Sequence, residues 1–346
     1  MCNCFNINYW LCERIILYLQ KVRVLIIIVG DCCYYSTRNN SMKVKILFFV
    51  LLFMSGMYAQ QDAQFTQYMY NTVNVNPAYA GSRGVASVFL LHRTQWVGLD
   101  GAPVTNTASF HMPLQGSKWG IGLSVINDRI GISDENELSA DVSYTVKTSE
   151  KFKLSFGIKT TANLFSVDFN RLTLRNPGDY AISQQDNIDN KFSPNIGAGI
   201  YFHSDKAYLG FSIPHLLETK RYNDNVSSVA SEKMHLFFIA GMVFNIEDNL
   251  KFKPALLTKM VNGAPLQVDL SGNFLVNDLV TVGIGYRLNA AFTALAGFQL
   301  SDSWYIGYSY DMENTKLANY NSGTHELFLR YELFANYDRI ISPRFF

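Results

Sequence analysis

The side chains that could do chemistry are scattered along this sequence. Six histidines lack the close spacing that a metal site requires: His92, His111, His203, His215, His235 and His325. There is no Gly-x-Ser-x-Gly nucleophile motif and no phosphate-binding loop. All five cysteines precede residue 34, so the rest of the chain has no thiol chemistry. We therefore expect a protein that is not an enzyme and that uses no cofactor and no metal.

An acidic segment, NDRIGISDENE at residues 127–137, comes nearest to a cation site. Carboxylates are ligands for Ca²⁺, but here no ligand spacing is fixed. An external loop in solvent has the same composition. We interpret residues 128–136 as such a loop, and calcium binding is the alternative.

Other charged residues stand at regular positions inside apolar runs, namely Asp141, Lys159, Asp269, Arg287 and Asp311. Around Asp269, for example, Val268, Leu270 and Phe274 alternate with polar residues. Successive side chains of a strand point to opposite faces, so each run predicts a two-faced strand with its charges on one face. These five residues are predicted to face a lumen, where they either pair with one another or line a passage.

The sequence contains fourteen such runs between about residues 85 and 334. Connections after even-numbered runs are short, whereas those after odd-numbered runs include every long one: 96–103, 128–136, 168–191, 214–232 and 312–323. Short turns at one end and long loops at the other are typical of outer-membrane barrels. A soluble β protein would instead point its apolar face inward.

The pattern therefore predicts an all-β fold: a transmembrane antiparallel up-and-down β-barrel of about 14 strands over residues 85–334, with its apolar face toward lipid. Fourteen strands enclose more space than strand side chains alone fill, so a plug or a water-filled lumen is needed.

The start of the chain is typical of an exported protein. Lys43 and Lys45 precede the apolar run Ile46–Met54, and small and polar residues follow to Ala59, which predicts a signal peptide at residues 42–59. We interpret residues 1–41 as an over-extended start, with a membrane anchor at 15–30 as the alternative. Residues 1–59 hold six of the 29 basic and two of the 28 acidic residues. The remainder is near neutral, and nothing indicates a nucleic-acid partner.

The two ends of the predicted barrel carry irregular segments. In residues 60–84, Asn76-Pro77 favours a turn, and the small residues Ala78, Ala80 and Gly81 allow close backbone contact. This segment is either a loose tail or a plug tucked in or near the lumen. Residues 335–346 are expected to form a periplasmic tail, and Phe346 is a candidate signal for barrel assembly.

Five segments together resemble the PorP/SprF family of type IX secretion system outer-membrane proteins of Bacteroidota. They are QYMYNTVNVNPAYAG (67–81), HRTQWVGLDGAPVTNTASFH (92–111), IGYSYD (306–311), HELFLRYEL (325–333) and SPRFF (342–346). The resemblance covers essentially the whole mature chain.

This resemblance implies an outer-membrane barrel that assists secretion or surface attachment of proteins with C-terminal sorting domains, often in gliding motility. The partners it implies are those cargo proteins, other translocon components and periplasmic peptidoglycan-linked subunits, besides membrane lipid. On the first two segments, candidate residues for plugging or partner binding are Asn76, Pro77, Ala78, Tyr79, Ala80, Gly81, Arg93, Gln95 and Trp96.

Two other functions stay open. Asn76-Pro77-Ala78 is also similar to the hatch of FadL-type fatty-acid channels, which are fourteen-stranded, and that likeness implies an outer-membrane transporter of a hydrophobic solute. An outer-membrane hydrolase ranks last, because no triad or carboxylate dyad is legible.

Overall fold

The computed structural model describes residues 65–172, 186–218 and 233–333. The predicted signal peptide and the segment before it, residues 60–64 and the C-terminal segment with Phe346 lie outside the described residues. Within those ranges, no helix is long and apolar enough to cross a membrane.

The described residues form fifteen strand segments. They are β1 (Ala86–Thr94), β2 (Val104–Pro113), β3 (Trp119–Ile130), β4 (Ser133–Lys147), β5 (Lys153–Val167), β6 (Ile188–His203), β7 (Ala207–Ile213), β8 (His235–Met242), β9 (Phe244–Glu247), β10 (Leu250–Val261), β11 (Gln267–Val276), β12 (Val280–Arg287), β13 (Ala291–Gln299), β14 (Trp304–Glu313) and β15 (Thr324–Leu333). Residues 65–172, 186–218 and 233–333 also contain one short helix, α1 (Thr72–Val75), and the 3₁₀ turns Pro77–Tyr79, Phe169–Arg171 and Lys316–Asn319.

The strands close into a single antiparallel barrel. Apart from β8 and β9, each strand pairs with its neighbour along the chain, and β1 pairs with β15 from Ala86 opposite Leu333 to Thr94 opposite His325. Both β8 and β9 pair with β10, and the buried residue Val243 separates them. The barrel therefore has fourteen strands and one extra segment, which confirms the predicted fold class.

Side chains along the strands alternate between the outside and the inside of the barrel, as the sequence predicts. Ile284 is 74% exposed on the outside of the barrel, whereas Asp311 is 2% exposed on the inside. Large apolar side chains such as Leu123, Phe156 and Leu327 are exposed on the outer wall in the same way. An outer wall of this kind is stable in lipid, since a closed barrel leaves no strand edge with unpaired backbone groups.

The two ends of the barrel differ in their connections. At one end, called the turn end, β2–β3, β4–β5, β6–β7, β9–β10, β11–β12 and β13–β14 are joined by short turns. At the other, the loop end, the long connections are 95–103, 168–187, 214–234 and 314–323.

The prediction of an external loop at residues 128–136 is wrong. Residues 128–136 belong to an extended hairpin, because β3 continues to Ile130 and β4 begins at Ser133. Gly131 turns the chain with a φ of +59°. The polar side chains bond within the hairpin: Asn127 Nδ2 donates to Asp134 Oδ1 at 3.0 Å. These bonds allow polar strands to stay paired beyond the apolar wall.

The assignment of the apolar face to lipid can be tested by placing an arginine at two different depths of the outer wall. Ile284→Arg places a charge near the middle of the outer wall, and we expect a cost of about 2–4 kcal/mol. The matched change Leu288→Arg lies just past the end of β12 and should cost about 0–1 kcal/mol. The measurement is the folded fraction by heat-modifiable migration on a detergent gel. Equal folded fractions would contradict the assignment of faces.

Candidate functional site

Residues 65–84, called the plug segment, occupy the lumen. Thr66 and Gln67 lie beside Asp311 and Glu326, close to the loop end, and the segment then descends to Ala80 and Gly81 at the turn end. Most of its residues are buried, and Gln67, Asn76 and Ala78 are fully inaccessible. The plug segment therefore spans much of the length of the lumen before the chain enters β1.

The predicted Asn76-Pro77 turn fixes the middle of the plug segment. Asn76 ends α1 and caps the 3₁₀ turn, since its Oδ1 accepts from the backbone N–H of Ala78 at 3.0 Å. Its Nδ2 donates to the carbonyl of Ile200 on β6 at 3.0 Å. One side chain thus stabilises the local turn and joins it to the wall.

Polar wall residues bond the backbone of the plug segment. Ser212 Oγ donates to the carbonyl of Val75 at 2.6 Å, and Ser143 Oγ donates to that of Ala80 at 2.7 Å. Gly81 has a φ of +72°, and its N–H donates to His111 Nδ1 at 3.3 Å. A segment with little regular structure needs such partners, because buried backbone groups are costly when unpaired.

Glycines in the wall allow this close approach. A Cβ added at Gly157 of β5 would collide with the backbone of Pro77 and Ala78, and one at Gly120 of β3 would collide with the carbonyl of Ala80. The predicted small residues Ala78 and Ala80 therefore meet glycine across the interface, and Tyr79 packs edge-on against Tyr201 with ring centroids 5.4 Å apart.

A chain of alternating charges holds the first residues of the plug segment. It runs through Asp269, Arg287, Asp311, Arg93 and Glu326, and we call it the ionic chain. Its successive N···O distances are 2.7, 3.6, 3.1 and 2.8 Å. All five side chains are at most 12% exposed. Buried charges are stable when they are paired and hydrogen-bonded in this way.

The plug segment bonds directly to the ionic chain. The backbone N–H groups of Thr66 and Gln67 donate to the Glu326 carboxylate at 3.0 and 2.8 Å. Thr66 Oγ1 donates to Asp311 Oδ2 at 2.6 Å and accepts from Arg93 at 2.7 Å. These bonds join residues up to 260 positions apart in sequence.

The predicted lumen residues are therefore all on the inner wall, in two places. Asp269, Arg287 and Asp311 form the ionic chain with Arg93, whereas Asp141 and Lys159 form a separate pair at 3.5 Å on β4 and β5. Sequence reasoning did not single out Glu326. It also missed the cluster of Arg83, Glu332 and Arg330 near the turn end. The sequence did contain a signal for these residues. In HELFLRYEL, strict alternation places Glu326, Arg330 and Glu332 on one face of the strand.

Two candidates lie apart from the lumen. Gln95 and Trp96 belong to the loop 95–103, and Trp96 Nε1 donates to Glu313 at 3.0 Å. The indole thus joins that loop to the end of β14. The candidate set consequently divides into a plug group (Asn76–Gly81), one residue of the ionic chain (Arg93) and a loop pair (Gln95 and Trp96).

The fit between plug and wall is close on the side of β11–β13. The cavity between Thr66, Met69 and these strands has a volume of about 20 Å³. That is room for roughly one water molecule.

The fold and this site define the class of the protein. A closed barrel with an apolar outer wall and polar inner wall is an outer-membrane β-barrel protein, and here its lumen holds a plug. A family model described as type IX secretion system membrane protein PorP/SprF matches residues 57–331. The chain belongs to the PorP/SprF family and is a membrane component of type IX secretion, located in the outer membrane.

Comparison with solved structures returns other barrels. The toluene transporter TodX of P. putida is 8% identical with a TM-score of 0.44, and the match covers 76% of this chain and 93% of that chain. Omp33 of Acinetobacter baumannii is 10% identical with a TM-score of 0.39, over 72% and 100%. A FadL homologue of Pseudomonas aeruginosa is 13% identical with a TM-score of 0.39, over 77% and 93%. A comparison with curated proteins gave no match.

Substitution of Arg93 is expected to destabilise the protein, because Arg93 pairs with two buried carboxylates of the ionic chain. Arg93→Met leaves Asp311 and Glu326 without their shared partner, and we expect a loss of about 3–5 kcal/mol in stability. The control Arg129→Met removes an exposed ion pair to Asp134 and should cost about 0–1 kcal/mol. The measurement is the temperature at which unboiled protein loses its folded migration. Equal midpoints for the two variants would contradict a structural role for the ionic chain.

The contact at Gly157 predicts that a single methyl group displaces the plug segment. All native cysteines precede residue 34, so in a protein that begins at residue 60, Thr72→Cys supplies a single, buried cysteine as a reporter. Gly157→Ala should greatly accelerate labelling of that cysteine by a polar maleimide.

The control for this experiment is Gly272→Ala. An added Cβ there meets only the ring of Phe252 on the outer wall, at 3.2 Å. This change should leave the labelling rate of Thr72→Cys at its starting value. The same acceleration in both variants would show that labelling reports loosening of the barrel and not displacement of the plug.

Proposed function

We propose that this protein assists secretion or surface attachment of proteins that carry C-terminal sorting domains, by binding and without catalysis. The observation that carries the proposal is the plug segment inside the lumen. The plug segment occupies the barrel along much of its length and is bonded to at least six strands, namely β2, β4, β6, β7, β14 and β15. A barrel closed in this way is suited to docking proteins at its ends, and membership of a type IX secretion family supplies the process.

The two ends offer surfaces to different partners. Long loops are the external side of outer-membrane barrels, and short turns are the periplasmic side. On this assignment, cargo proteins meet the loop end, including Gln95 and Trp96, while translocon components and peptidoglycan-linked subunits meet the turn end. A contribution to gliding motility follows where the secreted proteins are adhesins.

Deletion of the gene tests the proposal. We expect the loss of a defined set of proteins from the medium and the cell surface, measured by quantitative mass spectrometry, with uptake of hydrophobic solutes intact. Complementation with Leu288→Arg should restore these proteins, whereas Ile284→Arg, which is expected not to assemble, should not.

An unchanged secreted and surface proteome would contradict the proposal. If deletion instead abolished growth on a hydrophobic solute, the transport hypothesis would replace it. Mislocalised type IX components with normal cargo would also count against a role in cargo secretion or attachment.

A further inference from the structure

A basic pocket opens at the turn end of the barrel. Its volume is about 390 Å³, and it lies between the end of the plug segment, Ala80–Gly84, and the turn-end residues of β2 to β6, the last of which is His203. Three lysines line it, namely Lys118, Lys147 and Lys153. The pocket is therefore a concavity at the turn end whose charged groups are lysines, with apolar residues such as Trp119 and Val146 also in its lining.

Two of the lysines repel each other electrostatically unless an anion binds between them. Lys147 and Lys153 are direct partners across β4 and β5. Like charges placed directly opposite each other on a sheet are destabilising. Both lie on the inner face, in line with Thr145 and Ser155, whose hydroxyl groups are 2.8 Å apart.

Among the described residues, the acidic groups near the pocket, including Glu150 in the β4–β5 turn, form no ion pair with its lysines. In the part of the chain that the structure describes, none of the three lysines forms an ion pair. Glu332, the carboxylate beside the end of the plug segment, pairs with Arg83 and Arg330. The inner end of the pocket thus adds no free negative charge.

We propose that this pocket binds an acidic polypeptide segment of a periplasmic partner. Three exposed ammonium groups around a cavity of this size match carboxylates spaced along an extended peptide. This inference rests on the proposed function for the periplasmic side of the turn end, and it adds the chemistry by which a partner would be recognised there, whichever cargo meets the loop end.

The test uses the full mature protein in detergent and a fluorescent deca-glutamate peptide. Lys147→Glu/Lys153→Glu should weaken peptide binding about tenfold or more, and binding by the wild type should fall as salt is raised. The control Lys151→Glu/Lys206→Glu makes the same change of charge at two exposed lysines of the turn end that do not line the pocket. It should retain binding within about twofold, and heat-modifiable migration should confirm that both variants fold.

Three results would overturn the inference. The wild type fails to bind the peptide; both double variants lose binding equally, which indicates general charge attraction; or the pocket variant keeps peptide binding and loses affinity only for phosphatidylglycerol vesicles, which indicates a lipid phosphate site. None of these outcomes depends on secretion, so failure here is separable from failure of the proposed function.

Discussion

Pairing of β1 with β15 is the constraint on which the rest of the structure depends. In lipid every backbone N–H and C=O group must find a partner, and only a closed sheet achieves this with strands. Closure fixes the alternation of faces around the whole barrel, so that Ile284 meets lipid while Asp311 and Glu326 meet the lumen. It also creates a second problem, because a lumen bounded by fourteen strands is too wide for strand side chains to fill.

The plug segment occupies space in the lumen that strand side chains leave open, and it packs there through short polar side chains and close backbone contacts. Glycine in the wall admits the plug backbone, serine and asparagine bond it, and the ionic chain holds its first residues. Every buried charge of that chain touches at least one opposite charge. The same residues therefore stabilise the barrel and hold the plug segment in the lumen.

Local alternation was enough to predict most of the barrel. Side chains of β11–β14 alternate cleanly, and the lengths of the connections decided which face meets lipid. The prediction failed at residues 128–136, because polar strands beyond the apolar wall alternate too weakly to be told from a loop. The path of the plug segment was beyond sequence reasoning for another reason: Thr66 and Glu326 are 260 residues apart, and no periodicity marks residues 65–71. Asn76-Pro77 indicated a turn but not the strand it would meet.

A plug segment held by this many bonds is expected to close the lumen of the native protein to ions. Ion conductance of the purified wild-type protein in a planar lipid bilayer tests it most directly. The structure predicts that most inserted molecules show no steady conductance, and that deletion of residues 65–81 converts them to open channels. A steady open conductance from the folded wild type, unchanged by that deletion, would contradict the account.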